Sequence, residues 1–210
     1  FRRNGGIVCC RFNQSIPEIR ARYARRAPSC RLAPDGRGRV AMQGIFLVGP
    51  MGSGKSTVGR LLARRLRYSF YDTDREVEVR AGATVSEIFR TEGETGFRRR
   101  ESHALRQLSR RPRTVLATGG GAVLDSRNVS CLVRNGVVVY LRAAPEELAR
   151  RVAGDASRPL LQGRELLSRI RELLRERAPC YERIADLTVD SDQLAAAAVS
   201  ERICAWLDSR

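Results

Sequence analysis

Apolar residues along this chain fall into short β-prone runs that alternate with longer amphipathic stretches. The first run is Ile45-Phe46-Leu47-Val48. Beyond a glycine-rich interval, Val58, Leu61, Leu62 and Leu66 recur at helical spacing. Tyr68-Ser69-Phe70-Tyr71, Thr114-Val115-Leu116-Ala117, Val137-Val138-Val139-Tyr140-Leu141 and Leu187-Thr188-Val189-Asp190 read as four further strands. Helical patterns lie between them, roughly at 57–67, 75–80, 84–92, 95–110, 125–134, 145–153, 164–177 and 192–208. Pro179 reads as a stop signal for the seventh. Strands alternating with helices predict an α/β domain, a parallel sheet covered on both faces. On such a sheet, ligands bind beyond the carboxyl ends of the strands.

Residues 1–43 lack this periodicity. They mix turn formers with arginines and read as a disordered or weakly ordered extension. Half of the net charge of +16 sits there, where ten arginines face only Glu18 and Asp35. Three origins compete: an organelle transit peptide, a nucleic-acid or membrane-surface arm, or a non-native segment. The last is favoured, because Met42 stands just before the first strand. The domain is therefore 44–210, and its location is cytoplasmic, or plastid only if 1–43 is a transit peptide. No run of about 18 apolar residues occurs, so no membrane partner is expected. Six cysteines without C-x-x-C pairs, and a single histidine, give no zinc-type spacing. They read as free thiols.

Lys55 is the only lysine among 39 basic residues. It sits in Gly49-Pro50-Met51-Gly52-Ser53-Gly54-Lys55-Ser56, which matches the phosphate-binding loop G-x-x-x-x-G-K-[ST]. The strand before and the helix after are the context that motif requires. A compact ammonium bridges phosphates as a point charge, which the planar guanidinium fork does not do.

Each later strand end carries its own signature. Asp72 and Asp74 alternate off the second strand, so they point to different partners. With Ser56, Asp72 suits magnesium held through water; the rival reading is a helix cap. Thr118-Gly119-Gly120-Gly121 exposes backbone N–H groups and allows close approach by a small polar substrate. In Gly96-Phe97-Arg98-Arg99-Arg100-Glu101, Arg98 and Glu101 form an i, i+3 pair that fixes one guanidinium for a carboxylate. Arg99 or Arg100 covers a solvated face. Arg158-Pro159-Leu160-Leu161 lies in a glycine-flanked loop suited to a lid over phosphates.

With these motifs in place, the chain resembles the shikimate kinases of bacteria over about residues 44–208. The ordered set that carries the resemblance is GPMGSGKST, the 72–74 triplet, GFRRRE, the triple glycine, RPLL and Arg177-Ala178-Pro179-Cys180-Tyr181. The resemblance implies a three-layer fold of the nucleoside monophosphate kinase type. Its five-stranded parallel sheet would run 2-3-1-4-5 and carry a mobile lid. It implies ATP and Mg2+ as cofactors and phosphorylation of the shikimate 3-hydroxyl. Gly52, Ser53, Gly54, Lys55, Ser56 and Thr57 would cradle the ATP phosphates, and Ser56 with Asp72 would serve the metal. Asp74 would bind the shikimate hydroxyls. Arg98 and Arg177 would clamp its carboxylate, with Glu101 orienting Arg98, and Gly119, Gly120 and Gly121 would line the ring. Arg158 would be the lid arginine on ATP, with Arg151 and Gln193 near the adenine. Lys55, Asp74 and Arg158 would be the catalytic set, in a monomer.

Two rivals remain at this point: a kinase of the same fold acting on gluconate or a nucleoside monophosphate, and a nucleic-acid-dependent ATPase. The separated arginines and the triple glycine argue against the first. The second needs a basic stripe interleaved with aromatics, and the domain has few aromatics, so no nucleic-acid partner is expected.

Overall fold

The computed structural model describes residues 44–153 and 164–209. Its centre is a five-stranded sheet in the order β2-β3-β1-β4-β5. The strands are β1 (Gly44–Val48), β2 (Ser69–Asp72), β3 (Thr114–Ala117), β4 (Val137–Arg142) and β5 (Leu187–Asp190). Every pairing is parallel, with Leu47 opposite Ala117 on one side of β1 and opposite Val139 on the other. The fold class and strand order are those expected.

Alternation along the buried strands divides the core into two layers. Phe46, Val48, Leu116, Val138 and Tyr140 face one side, packed with Leu105, Leu132, Tyr181 and Ile184. Ile45, Leu47, Val115, Val139 and Leu141 face the other, packed with Val58, Leu62, Val199 and Ile203. Two helices cover the second face: α1 (Lys55–Leu66), directly after the glycine loop, and the last helix, Ala196–Asp208. Between them in the chain lie α2 (Thr73–Ala81), α3 (Val85–Leu108), α4 (Ser126–Asn135), α5 (Pro145–Val152) and α6 (Arg164–Ile184), so the last is α7.

Three boundaries carry functional weight. First, α3 is one helix only in name: Gly93, at φ 68 and ψ −177, breaks it where the sequence pattern separates 84–92 from 95–110. The segment before the break starts on a capping box between Thr84 and Glu87. The segment after it carries Arg98 and Glu101. Second, α6 runs through Pro179 to Ile184, which corrects the expected stop. One lost i→i−4 bond is outweighed by burial of Cys180, Tyr181 and Ile184 on the sheet. Third, α7 begins at Ala196 rather than 192, because Gln193 takes a left-handed backbone (φ 55).

The Gly93 backbone lies in a region that side chains do not tolerate, while a Cβ there would meet no neighbour within 4 Å. Gly93→Ala therefore tests backbone strain alone. We expect a loss of about 1–3 kcal/mol in a urea melt. An unchanged midpoint would mean that the break is not needed.

Candidate active site

The glycine loop folds onto its own lysine. Lys55 Nζ donates to the carbonyls of Gly49 (2.9 Å) and Pro50 (2.6 Å), and the buried Ser53 hydroxyl donates to Pro50 O (2.9 Å). Gly54, at φ 87, ends the loop, and α1 starts at Lys55 with no side-chain cap. The first N–H groups of α1 are thus left for an anion. Burial pulls the Lys55 ammonium down to about 8, against the opposing pull of Asp74 and Asp72. Thr57 is exposed.

Arg151 braces this loop from α5. Its guanidinium donates to Ser191 O (2.6 Å), Glu147 Oε1 (2.7 Å) and Gly52 O (3.4 Å). Gln193 is exposed in the turn two residues beyond Ser191.

Asp72 caps α2 and still keeps an oxygen on Ser56, so the two roles that the sequence presented as rivals do not exclude each other. One carboxylate oxygen accepts from the Asp74 amide (3.0 Å) and caps α2; the other accepts from the Ser56 hydroxyl (2.5 Å). A single hydroxyl with a single carboxylate suits magnesium, which keeps several waters and takes its other ligands from phosphate. Asp74 stands in the first turn of α2, turned toward the end of β3.

The glycine strip after β3 is held from three sides. The Gly119 amide donates to Thr73 Oγ1 (2.8 Å), and the Tyr181 hydroxyl donates to Gly120 O (2.5 Å). Gly121 lies against Arg98: a Cβ there would stand 2.4 Å from the guanidinium. Arg98 donates to Glu101 (2.9 Å) and, on its exposed side, to Glu94 (3.2 Å). Glu101 is 0% exposed. Burial raises its pKa and Asp74 adds to that, against the pull of Arg98 and Arg177. For Arg98, burial disfavours the charge, but Glu101 and Glu94 more than offset it. Arg99 and Arg100 are exposed, and Arg100 pairs with Glu92 (2.7 Å).

These groups surround a cavity of about 160 Å³. Asp74, Arg98, Glu101, Arg177 and Gly119 to Gly121 supply its polar lining; Val85, Phe89, Phe97, Ile170 and Leu173 supply the apolar wall. Arg177 Nε and Glu101 Oε1 are buried there without a hydrogen-bond partner. Such groups are costly unless a ligand meets them. A larger open cleft of about 860 Å³ lies across Arg98, but its lining includes neither the phosphate loop nor Asp74. Arg158 lies outside the described residues.

Sequence reasoning missed Thr73, Tyr181 and the apolar wall. Reading Pro179 as a stop hid the fact that Arg177 and Tyr181 are i, i+4 on one helix. Phe89 and Phe97 could have been flagged, since the domain has few aromatics; they pack ring on ring at 4.7 Å.

A sequence profile of the shikimate kinase family matches residues 51–208. This chain belongs to the shikimate kinase family. It is 45% identical over 168 residues to the shikimate kinase of Legionella pneumophila (strain Corby), covering 80% of this chain and 96% of that one. To that of Bordetella pertussis it is 51% identical over 150 residues, 71% of each chain. Among solved structures, shikimate kinase from Acinetobacter baumannii in complex with shikimate aligns at a TM-score of 0.76 and 43% identity, over 80% of this chain and 94% of that one. The enzyme from Aquifex aeolicus aligns at 0.70 and 35%, over 79% and 96%.

For this shikimate kinase family member, the lysine gives a pH prediction. The free protein gives up the Lys55 proton from about 8, whereas an unfolded chain keeps it to 10.5. Phosphate anions favour the charged form and raise the value again. ATP binding should therefore take up a proton above pH 8, with affinity falling close to tenfold per unit, measured by calorimetry in two buffers. By the same shift, stability of the free protein should rise with pH through that window. Affinity that stays flat to pH 10 would contradict the assignment.

Proposed function

We propose that the cavity binds shikimate and that the glycine loop delivers the γ-phosphoryl of ATP to its 3-hydroxyl. The observation that carries the substrate half is the guanidinium pair. Arg98 and Arg177 flank one small cavity that also holds Asp74 and three glycines. Two cations call for a carboxylate, Asp74 calls for a hydroxyl, and the flat glycine strip leaves room for a ring. A neutral polyol would leave the buried Nε of Arg177 unmet, which is a source of selectivity. The A. baumannii relative, solved in complex with shikimate, supports the same reading.

Phosphoryl transfer asks the protein mainly for positioning and charge neutralisation. Gly52 to Thr57 hold the phosphate chain through loop amides and the α1 N-terminus. Lys55 leaves the Gly49 and Pro50 carbonyls for the β- and γ-phosphates. Ser56 and Asp72 hold magnesium, which neutralises charge on the phosphates when bound. Asp74 accepts a hydrogen bond from the 3-hydroxyl and takes its proton as the oxygen–phosphorus bond forms. The bond to the β-phosphate breaks and ADP leaves. Arg151 and Gln193 serve the adenine side, and Arg158 completes the phosphate cage.

Residues 44–210 form the kinase unit in this reading, and 1–43 take no part. In this reading the enzyme acts as a monomer. No helix among the described residues is long and apolar enough to cross a membrane. Cys131, Cys180 and Cys204 are buried thiols, in keeping with a cytoplasmic enzyme.

The test is ADP release by the full chain with ATP, magnesium and shikimate. Asp74→Asn should lower kcat by about 10²–10⁴-fold. Arg98→Ala should raise the shikimate KM by about 10²-fold or more, with the ATP KM little changed. ATP binding with no shikimate-dependent turnover would defeat the reading and make gluconate and nucleoside monophosphates the next substrates to try.

A further inference from the structure

The backbone groups of the glycine strip can be accounted for one by one. The Gly119 amide is spent on Thr73, and the Gly119 and Gly121 carbonyls accept from the amides of Ala122 and Leu124, both at 3.1 Å. The Gly120 carbonyl accepts from Tyr181. The amides of Gly120 and Gly121 have no acceptor among the described residues.

Tyr181 is well placed to fix that pattern. It is fully buried, and its ring stacks on Tyr140 of β4 with centroids 5.1 Å apart. It stands one turn beyond Arg177 on α6. Burial raises the pKa of its hydroxyl, so it stays a neutral donor at any working pH. In a trans peptide the carbonyl of one residue and the N–H of the next point in opposite directions. No cis bond occurs among the described residues.

We propose that Tyr181 is a positioning residue: by holding the Gly120 carbonyl, its hydroxyl turns the Gly121 amide toward the substrate carboxylate beside Arg98. The carboxylate then receives a backbone donor from the strip and charged donors from Arg98 and Arg177. Tyr181 and Arg177 move as one face of α6, so one helix sets both the strip and a guanidinium. Gly120 also packs against the phosphate loop, since a Cβ there would lie 3.5 Å from Gly49 O and 3.7 Å from Met51 N. Without the pin, the Gly120–Gly121 peptide is free to rotate, and glycine offers little resistance.

This inference rests on the shikimate reading, and Tyr181→Phe separates the two. The variant keeps the ring and its stacking and removes only the hydroxyl. Using the full chain, we expect the shikimate KM to rise about tenfold, the usual scale for leaving a buried carbonyl unmet. kcat and the dissociation constant for ATP should stay within twofold. Shikimate methyl ester, which lacks the carboxylate charge, provides a second arm. The preference of the wild type for shikimate over the ester should shrink about tenfold in the variant. An equal loss for both compounds, or no loss, overturns the proposal. Should the variant fail to fold, the amide resonance of Gly121 in the wild type decides: shikimate must shift it downfield, and a stationary resonance refutes the idea. Absence of turnover in the wild type would instead sink the shikimate reading itself.

Discussion

The site depends on one extension of the sheet. The Thr118 amide and hydroxyl both donate to the Leu47 carbonyl, at 3.0 and 3.2 Å. These bonds continue the β1–β3 pairing one residue past the end of β3. Two glycine-rich segments then leave the sheet from neighbouring points: one becomes the phosphate loop, the other the substrate strip. Parallel strands make this possible, because their carboxyl ends all reach one edge. Neither β2 nor β4 needs to enter the cavity. β2 sends only Asp72 and the first turn of α2 across the same edge.

Charge at that edge is matched before any ligand arrives, but incompletely. Asp72 is satisfied by Ser56 and by the α2 amides, so it does not reach into the cavity. Glu101 has one oxygen on Arg98 and the other unmet. Arg98 has Glu94 on its exposed side, and that side chain is 66% accessible, so water screens much of the pairing. The firm constraint on Arg98 is therefore the buried Glu101. A ligand carboxylate then meets a guanidinium already fixed in orientation, and little side-chain entropy remains to be lost on binding.

The strands and the phosphate loop were legible because each rests on local pattern: β-prone runs, helical spacing and a motif with its context; the strand order came only with the family resemblance. Arg98 and Glu101 were legible for the same reason, being one helical turn apart. The apolar wall was not, because Val85, Phe89 and Phe97 converge only through the break at Gly93. That glycine reads equally well as an ordinary loop residue. Pro179 misled in the other direction. Its local preference is to stop a helix, but three buried residues beyond it carry α6 onward, and only the tertiary packing reveals this. Asp72 was read as having two competing roles because sequence assigns a residue one purpose. Two carboxylate oxygens allow both.

The single lysine is best understood through what arginine could not do there. In the loop the ammonium is held by the Gly49 and Pro50 carbonyls, with Ser53 Oγ at 3.4 Å. Those acceptors lie close together around one point, which a compact three-donor group can meet. A planar guanidinium spreads its donors over a wider fork and would displace the loop. Burial also lowers the lysine to about 8, so its charge responds to the phosphates that bind beside it. A guanidinium has no such range, because it stays charged at every pH a protein meets. Elsewhere in the site the reverse requirement holds. A carboxylate clamp gains from permanent charge and flat bidentate geometry, and the cavity proposed for one is lined by Arg98 and Arg177.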